Sequence, residues 1–389
     1  MDLYETFSSL KSFEAIKSID MHTAGEATRI VYDGFPDLRG SLLDQREEAE
    51  KKYDDLRKRI ILEPRGHFDM YGAILRPQTE LVESGEADIG ALFIHNGGFS
   101  TMCGHATIAL GRFLVDTSDE NAFPNRSNLR LDTINSTAEV RIHVPCGLVV
   151  VTVPTNSDGT KSDPSRPVSF LSTPAFTAAR DMEVEIPTNV RWKELGSRSS
   201  INFDLAYGGA YYALISAKEL GFTNGLKEID LLSVTSCIRK LKPFLASHPA
   251  VIDAIRHPDD SRLSYLYSIM IVDSNSGYHP EAAVSVESGL CYFADNEIDR
   301  SPTGSCVSAR VALAYDKRQI ELGEKRAYNS LITNHFEEGA FIGSVAEVLN
   351  ESTIIAQVEG YAFYIGSSLF IWEKGDRTSR EGFIFDQCV

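Results

Sequence analysis

The chain has 389 residues, with 38 lysines and arginines against 55 aspartates and glutamates, a formal charge of −17. That length suggests two or three domains with real cores, and 43% hydrophobic with 24% charged residues is ordinary for a soluble globular protein. The charge argues against nucleic acid or an anionic membrane as the main partner, no window approaches the ~20 apolar residues of a membrane span, and the opening MDLYETFSSLKSFEAIKSID lacks a signal peptide's apolar core. Six cysteines without a C-x-x-C pair are too sparse for a disulfide scaffold, so the expected setting is reduced and cytoplasmic.

In chain order, residues 16–21 and 28–32 read as strands flanking the turn-like Thr23-Ala24-Gly25. Residues 42–61 then carry apolar positions at helical spacing among dense charges, which predicts a helix with a wide solvated face. Its EEAEKK run needs no role beyond solubility. Strand-like runs follow at 72–75, 87–95, 138–144 and 148–153. Between them lie the polar loops 116–128 and 156–167, the latter a linker or a long surface loop. The second half repeats this style, with strands at 202–204, 210–215, 266–272 and 282–286 and an amphipathic helix over 228–245. A helix signal follows Asp299, and 344–385 reads as mostly β. Mixed short strands with few helices predict an α+β fold rather than a doubly wound parallel sheet.

One internal echo stands out. Met102-Cys103-Gly104-His105 precedes the helix-like ATIALGRF, and Pro302-Thr303-Gly304-Ser305 precedes the helix-like CVSARVAL. Each is a small-residue turn opening a helix, which suggests two similar halves. Amides at a helix N-terminus stabilise a thiolate, and the same amides hold a carboxylate. Cys103 is thus a candidate base, although a lone Cys-Gly is more often a small buried residue. His105 has three readings: orienting a substrate amine, pairing with the thiolate, or bonding a neighbouring carbonyl. Asp299 either caps its turn as an Asx motif or holds a substrate ammonium. Thr303, at the position matching Cys103, does not ionise near neutral pH but does hydrogen-bond.

No histidines or cysteines stand at metal-ligand spacing, so no metal site is expected. Gly97-Gly98 and Gly208-Gly209 fit neither G-x-G-x-x-G nor a P-loop, G-x-S-x-G is absent, and nothing points to a pyridoxal-phosphate lysine. Cys146, Cys237, Cys291, Cys306 and Cys388 read as space-filling.

From Ile16 to Phe385 the chain resembles the proline racemase family, through IDMHTAGEATRI (19–30), LEPRGHFDMYGAIL (62–75), FIHNGGFSTMCGHATIALGRF (93–113), YGGAYYALI (207–215) and DRSPTGSCVSARVAL (299–313). The resemblance implies two similar α/β halves, each a mixed sheet wrapped around a central helix, with the active site in the cleft between them, as in diaminopimelate epimerase. Approximate boundaries would be 16–198 plus 367–389 for the half with the Cys motif and 199–366 for the half with the Thr motif. Racemases and epimerases similar to this chain carry one cysteine per half. Here the first aligns with Cys103 and the second is replaced by Thr303, a pattern similar to the branch that dehydrates trans-3-hydroxy-L-proline to Δ1-pyrroline-2-carboxylate.

The implied catalytic residues are Cys103 and Thr303, and the implied substrate-binding residues are Gly104, His105, Asp299, Gly304, Ser305 and an aromatic wall at Phe293. The resemblance implies a small imino-acid substrate, neither cofactor nor metal, and allows a homodimer. Two features depart from the family: Cys306 is a thiol three residues beyond the racemase position, and Gly97 stands where relatives often carry Glu. The competing readings are a racemase or epimerase using Cys306 as second acid, a silent binder of a proline-like ligand, and thiol acyl transfer by Cys103 and His105.

Overall fold

The computed structural model describes residues 15–373 and 375–385; Cys388 lies outside them. Two compact units divide the chain, Met1–Phe170 with Tyr361–Val389, and Leu171–Gly360.

In the first unit β1 (Ala15–Thr23) and β2 (Glu26–Asp33) form a hairpin. Its two central residues, Ala24 and Gly25, both have positive φ, as a tight two-residue hairpin requires. β3 (Gly72–Arg76) lies parallel to β2, and β4 (Ile89–His95) runs back along β3 and folds into the short β5 (Gly98–Ser100). After β6 (Arg130–Asp132), β7 (Thr137–Val144) pairs in parallel with β4 and β8 (Gly147–Pro154) runs antiparallel to β7.

β9 (Val168–Leu171) carries the chain into the second unit. There follow β10 (Ala175–Glu185), β11 (Ser200–Tyr207), β12 (Tyr211–Ser216), β13 (Leu266–Ser274), β14 (Ser285–Phe293), β15 (Glu297–Ile298), β16 (Arg326–Asn329), β17 (Phe341–Val348) and β18 (Thr353–Gly360). Eight of these close on themselves in the order β10-β11-β12-β13-β14-β16-β17-β18, with Ala175 opposite Ile354 sealing the ring. Finally β19 (Ala362–Ile371) returns to the first unit and pairs with β1. The hairpin, parallel, antiparallel, parallel succession of β1-β2-β3-β4-β7 recurs in β11-β12-β13-β14-β16.

Each unit carries one helix whose residues are almost all buried: Gly104–Asp116 in the first and Gly304–Asp316 in the second. A helix with apolar residues on several faces and so few exposed positions has to be enclosed. The first packs on β1, β2, β7, β8 and β19, the second on β10, β11, β12, β17 and β18. Small residues set the distance of approach. A Cβ on Gly111 would stand 2.5 Å from Val151, and one on Gly208, in the β11–β12 turn, would stand 2.2 Å from the Ser305 carbonyl oxygen.

Several sequence expectations need correction. The helix expected over 42–61 is interrupted at Tyr53, giving Leu42–Lys52 and Asp54–Ile61. The first piece keeps the solvated face, with exposed Lys51–Glu47 and Lys52–Glu48 pairs. The second turns inward, where Arg57 donates to the His95 and Asn96 carbonyls at 2.6 and 2.7 Å. Of the two readings left open for residues 156–167, the structure has the loop, held by Asp116, which accepts from the Ser162 amide at 2.7 Å and its hydroxyl at 2.8 Å. The expected β character of 344–385 ends at Ile371, after which, among the described residues, only Phe383 makes a bridge, to Glu63. The strand expected at 282–286 begins at Ser285 and continues to Phe293.

Because the atom facing Gly208 is backbone, it has no side-chain freedom to yield. Gly208→Ala is expected to cost about 2–3 kcal/mol, lowering the melting temperature of the second unit by roughly 5–10 °C in a thermal melt.

Candidate active site

Cys103 occupies the N-cap position of the first buried helix, in extended conformation. Its sulfur accepts from the Ala106 amide at 3.5 Å, which satisfies one of the donors a helix start leaves open. The His105 ring lies against the same sulfur, with Nδ1 at 3.3 Å, and both residues are buried. Of the three readings of His105, the structure places its ring on the thiol. Tyr71 crosses that ring edge-on at 4.8 Å, and its hydroxyl shares a 2.6 Å hydrogen bond with Ser100. From the β1 end, the Thr23 hydroxyl donates to the His105 carbonyl at 3.0 Å. The Thr107 hydroxyl donates to the Cys103 carbonyl at 2.7 Å. Gly104 begins the helix, so its amide belongs to the first turn.

Thr303 occupies the matching cap position in the second unit, but its local structure differs. Its φ of 64° and ψ of 82° put a β-branched residue in the left-handed region, and its side chain makes no cap bond. The hydroxyl instead donates to Asp299 Oδ2 at 2.8 Å. Asp299 Oδ1 accepts from the Ser301 amide at 2.7 Å, and the Ser301 hydroxyl accepts from the Thr303 amide at 3.1 Å. This buried ring contains the Asx turn the sequence allowed for Asp299. Left-handed strain on a non-glycine residue costs on the order of 1–3 kcal/mol. A hydrogen bond to a charged group returns about 1.5–3 kcal/mol, so the Asp299 bonds suffice to hold Thr303 there.

Around this turn, Ser305 shares a 2.6 Å hydrogen bond with the Tyr212 hydroxyl. Phe293 is buried 6.0 Å from the Tyr267 ring, at the end of β14. The Cys291 thiol bonds both Ser268, at 2.9 Å, and Thr303, and burial pushes it up to about 12. Cys306 is fully buried in the helix packing, and desolvation raises its thiol well above the usual range.

Cys103, Gly104 and His105 are thus together in one unit, and Asp299, Thr303, Gly304, Ser305 and Phe293 in the other. Sequence reasoning missed Tyr71, Thr23, Ser301, Tyr212 and Cys291. Tyr71 and Thr23 stand inside the blocks that carried the resemblance and Ser301 inside the DRSPTGS block, so position alone could have flagged them. Cys291 had no such signal. Among the described residues, no group of three His, Cys, Asp or Glu side chains could hold a metal ion, and no helix is long and apolar enough to cross a membrane.

The family model described as proline racemase matches residues 18–383. The chain belongs to the proline racemase family. Within that family it is 38% identical over 377 residues to a trans-L-3-hydroxyproline dehydratase from Bos taurus, covering 95% of this chain and 94% of the relative. It is 38% identical over 373 residues to a trans-3-hydroxy-L-proline dehydratase from Homo sapiens, covering 94% and 93%. Among solved structures, a probable proline racemase from Agrobacterium radiobacter with bound carbonate matches with a TM-score of 0.75 at 21% identity, over 96% of this chain and 97% of that one. That likeness shows the proline racemase fold, here a mixed α+β arrangement with an eight-stranded barrel.

The ring at Asp299 makes a stability prediction. In Asp299→Asn, the amide oxygen still accepts from Ser301 and the amide nitrogen donates to Thr303, so the loss should stay near about 1 kcal/mol. Asp299→Ala strips both bonds and leaves buried donors unpaired, and should lose about 2–3 kcal/mol or more. Denaturant unfolding of the two variants side by side measures the difference.

Proposed function

We propose that this protein dehydrates trans-3-hydroxy-L-proline to Δ1-pyrroline-2-carboxylate and water, with the Cys103 thiolate as the base that takes the Cα proton. The observation that carries the reading is the 2.8 Å bond from Thr303 to Asp299. It commits the threonine hydrogen to a carboxylate, so the residue matching Cys103 offers lone pairs rather than a proton. A two-base inversion needs a proton donor there; an elimination does not. The names of the dehydratase relatives at 38% identity support the same reading.

The chemistry follows from the substrate. In trans-3-hydroxy-L-proline the hydroxyl is trans to the carboxylate, so it lies on the same face of the ring as the Cα hydrogen. One thiol on that face suffices. In this scheme the first-turn amides at Gly104–His105 and Gly304–Ser305 hold the carboxylate and the negative charge that develops as the Cα–H bond breaks. The His105 imidazole, 3.3 Å from the sulfur, favours the thiolate by accepting or sharing its proton. His105 and Asp299 engage the ring nitrogen, Thr303 accepts a hydrogen bond from substrate or water, and Phe293 walls the ring. The Cα electron pair forms the C2–C3 double bond as the C3–O bond breaks. The hydroxyl departs with a proton as water, and the enamine tautomerises to the cyclic imine.

The racemase alternative would need Cys306 as a second acid. Complete burial and a thiol raised well above its usual range count against that role.

Proton NMR in D₂O tests the reading. With trans-3-hydroxy-L-proline the C3 carbinol signal should disappear as the imine appears, while L-proline and trans-4-hydroxy-L-proline stay unchanged. Deuterium entering Cα of either control without water loss would overturn the assignment in favour of a racemase. Cys103→Ser should lower turnover by roughly 10²–10⁴-fold in a folded protein, and substantial surviving activity would remove Cys103 from the role of base. Thr303→Cys should introduce deuterium exchange at Cα of proline, which the wild-type protein should not show.

A further inference from the structure

Phe293 and Asp299 stand at the two ends of one tight hairpin, in which the ends of β14 and β15 pair across Ala294-Asp295-Asn296. Ala294 and Asn296 both have positive φ, so the turn is held in a conformation that non-glycine residues adopt sparingly. Asp299 continues the ladder, its amide donating to the Cys291 carbonyl at 3.1 Å. Whatever fixes this turn therefore fixes the spacing between the aromatic wall and the carboxylate that holds Thr303.

The helix Leu231–Ser247 supplies the fixing contact. From it Lys242 extends its ammonium to the Ala294 carbonyl, Nζ to oxygen 2.6 Å. One side of the same helix is anchored to β14 by the 2.8 Å hydrogen bond between the Thr235 and Tyr292 hydroxyls. The ionisable groups facing the ammonium are Cys291 on β14, Asp295 in the turn and Glu297 on β15. A charged donor on a carbonyl makes a hydrogen bond roughly twice as strong as a neutral one. We propose that Lys242 is a positioning residue of this site: through its bond to the Ala294 carbonyl it holds the hairpin that sets Phe293 and Asp299 relative to Thr303. The inference rests on the dehydratase reading for its catalytic consequence, but not for its structural one.

Burial pushes the Lys242 ammonium down to about 8 against the pull of Cys291, Asp295 and Glu297, so its charge is lost within a range open to kinetic assay. The sign follows directly. Below that value the tether is charged and the hairpin is held; above it the bond weakens and substrate binding falls.

The test compares wild type, Lys242→Met and Lys242→Arg, with kcat and KM for trans-3-hydroxy-L-proline measured from about pH 6.5 to 9.5. Lys242→Met should raise KM about tenfold while kcat changes less than about threefold. The rise of KM near pH 8 in the wild type should be absent in Lys242→Met. It should also be absent in Lys242→Arg, whose guanidinium stays charged throughout and should recover part of the lost affinity. A folded Lys242→Met with wild-type KM and the wild-type pH profile overturns the proposal. Hydrogen exchange of residues 294–299 separates this from failure of the dehydratase reading. If the wild-type protein turns over no substrate, that reading fails by itself. Faster exchange of these amides in Lys242→Met still supports the tether, and unchanged exchange overturns it.

Discussion

The constraint on which both candidate turns depend is the start of a buried helix. Enclosing a helix takes its first-turn amides away from bulk water, and those donors need partners. In the first unit the sulfur of Cys103 supplies one, accepting from Ala106. A sulfur that accepts from an amide at the positive end of a helix is better suited to carrying negative charge than one among apolar side chains. On the proposed dehydration, the structural need for a cap and the chemical need for a base would fall on the same atom.

The second unit departs from this arrangement at the matching residue. Thr303 turns its hydroxyl away from the helix to Asp299 and takes up a left-handed backbone, so its side chain leaves the first-turn amides uncapped. Asp299 then does two things at once. It holds the turn in a conformation threonine would otherwise avoid, and it orients the hydroxyl as an acceptor. The chain's internal symmetry therefore extends to sheet order and helix placement but stops at the cap residue, which is where the two-base and one-base chemistries would part.

Much of this was legible in the sequence, for identifiable reasons. Both buried helices were visible because a glycine-containing turn opens a run of small and aliphatic residues in each, and the Asx reading of Asp299 matches the bond from the Ser301 amide. The break at Tyr53 was not visible, since charges and apolar positions keep helical spacing on both sides of it. Nor was β10, whose stretch Ala175–Glu185 mixes apolar and charged residues without strict alternation and is mostly half-buried or exposed. Thr303's backbone conformation was hidden because threonine is among the residues least expected there. Lys242 was hidden for the opposite reason: a lysine on an amphipathic helix looks like solvated surface until the hairpin beneath it is known.

Thiol chemistry shows how far environment, rather than residue type, separates these positions. Cys237, Cys291 and Cys306 all lie in the second unit, and desolvation raises each above the ordinary thiol range. Burial disfavours the thiolate, and at Cys291 it does so even with the Ser268 and Thr303 hydroxyls beside the sulfur. Cys103 is also buried, so exposure does not distinguish it from them. What distinguishes it is an amide and an imidazole within 3.5 Å of the sulfur. Desolvation beside an amide at a helix start strengthens the interaction of that amide with negative charge. On the proposed scheme, the same low-dielectric surroundings that raise the Cys237, Cys291 and Cys306 thiols would make Cys103 responsive to the groups around it, with no change of residue type.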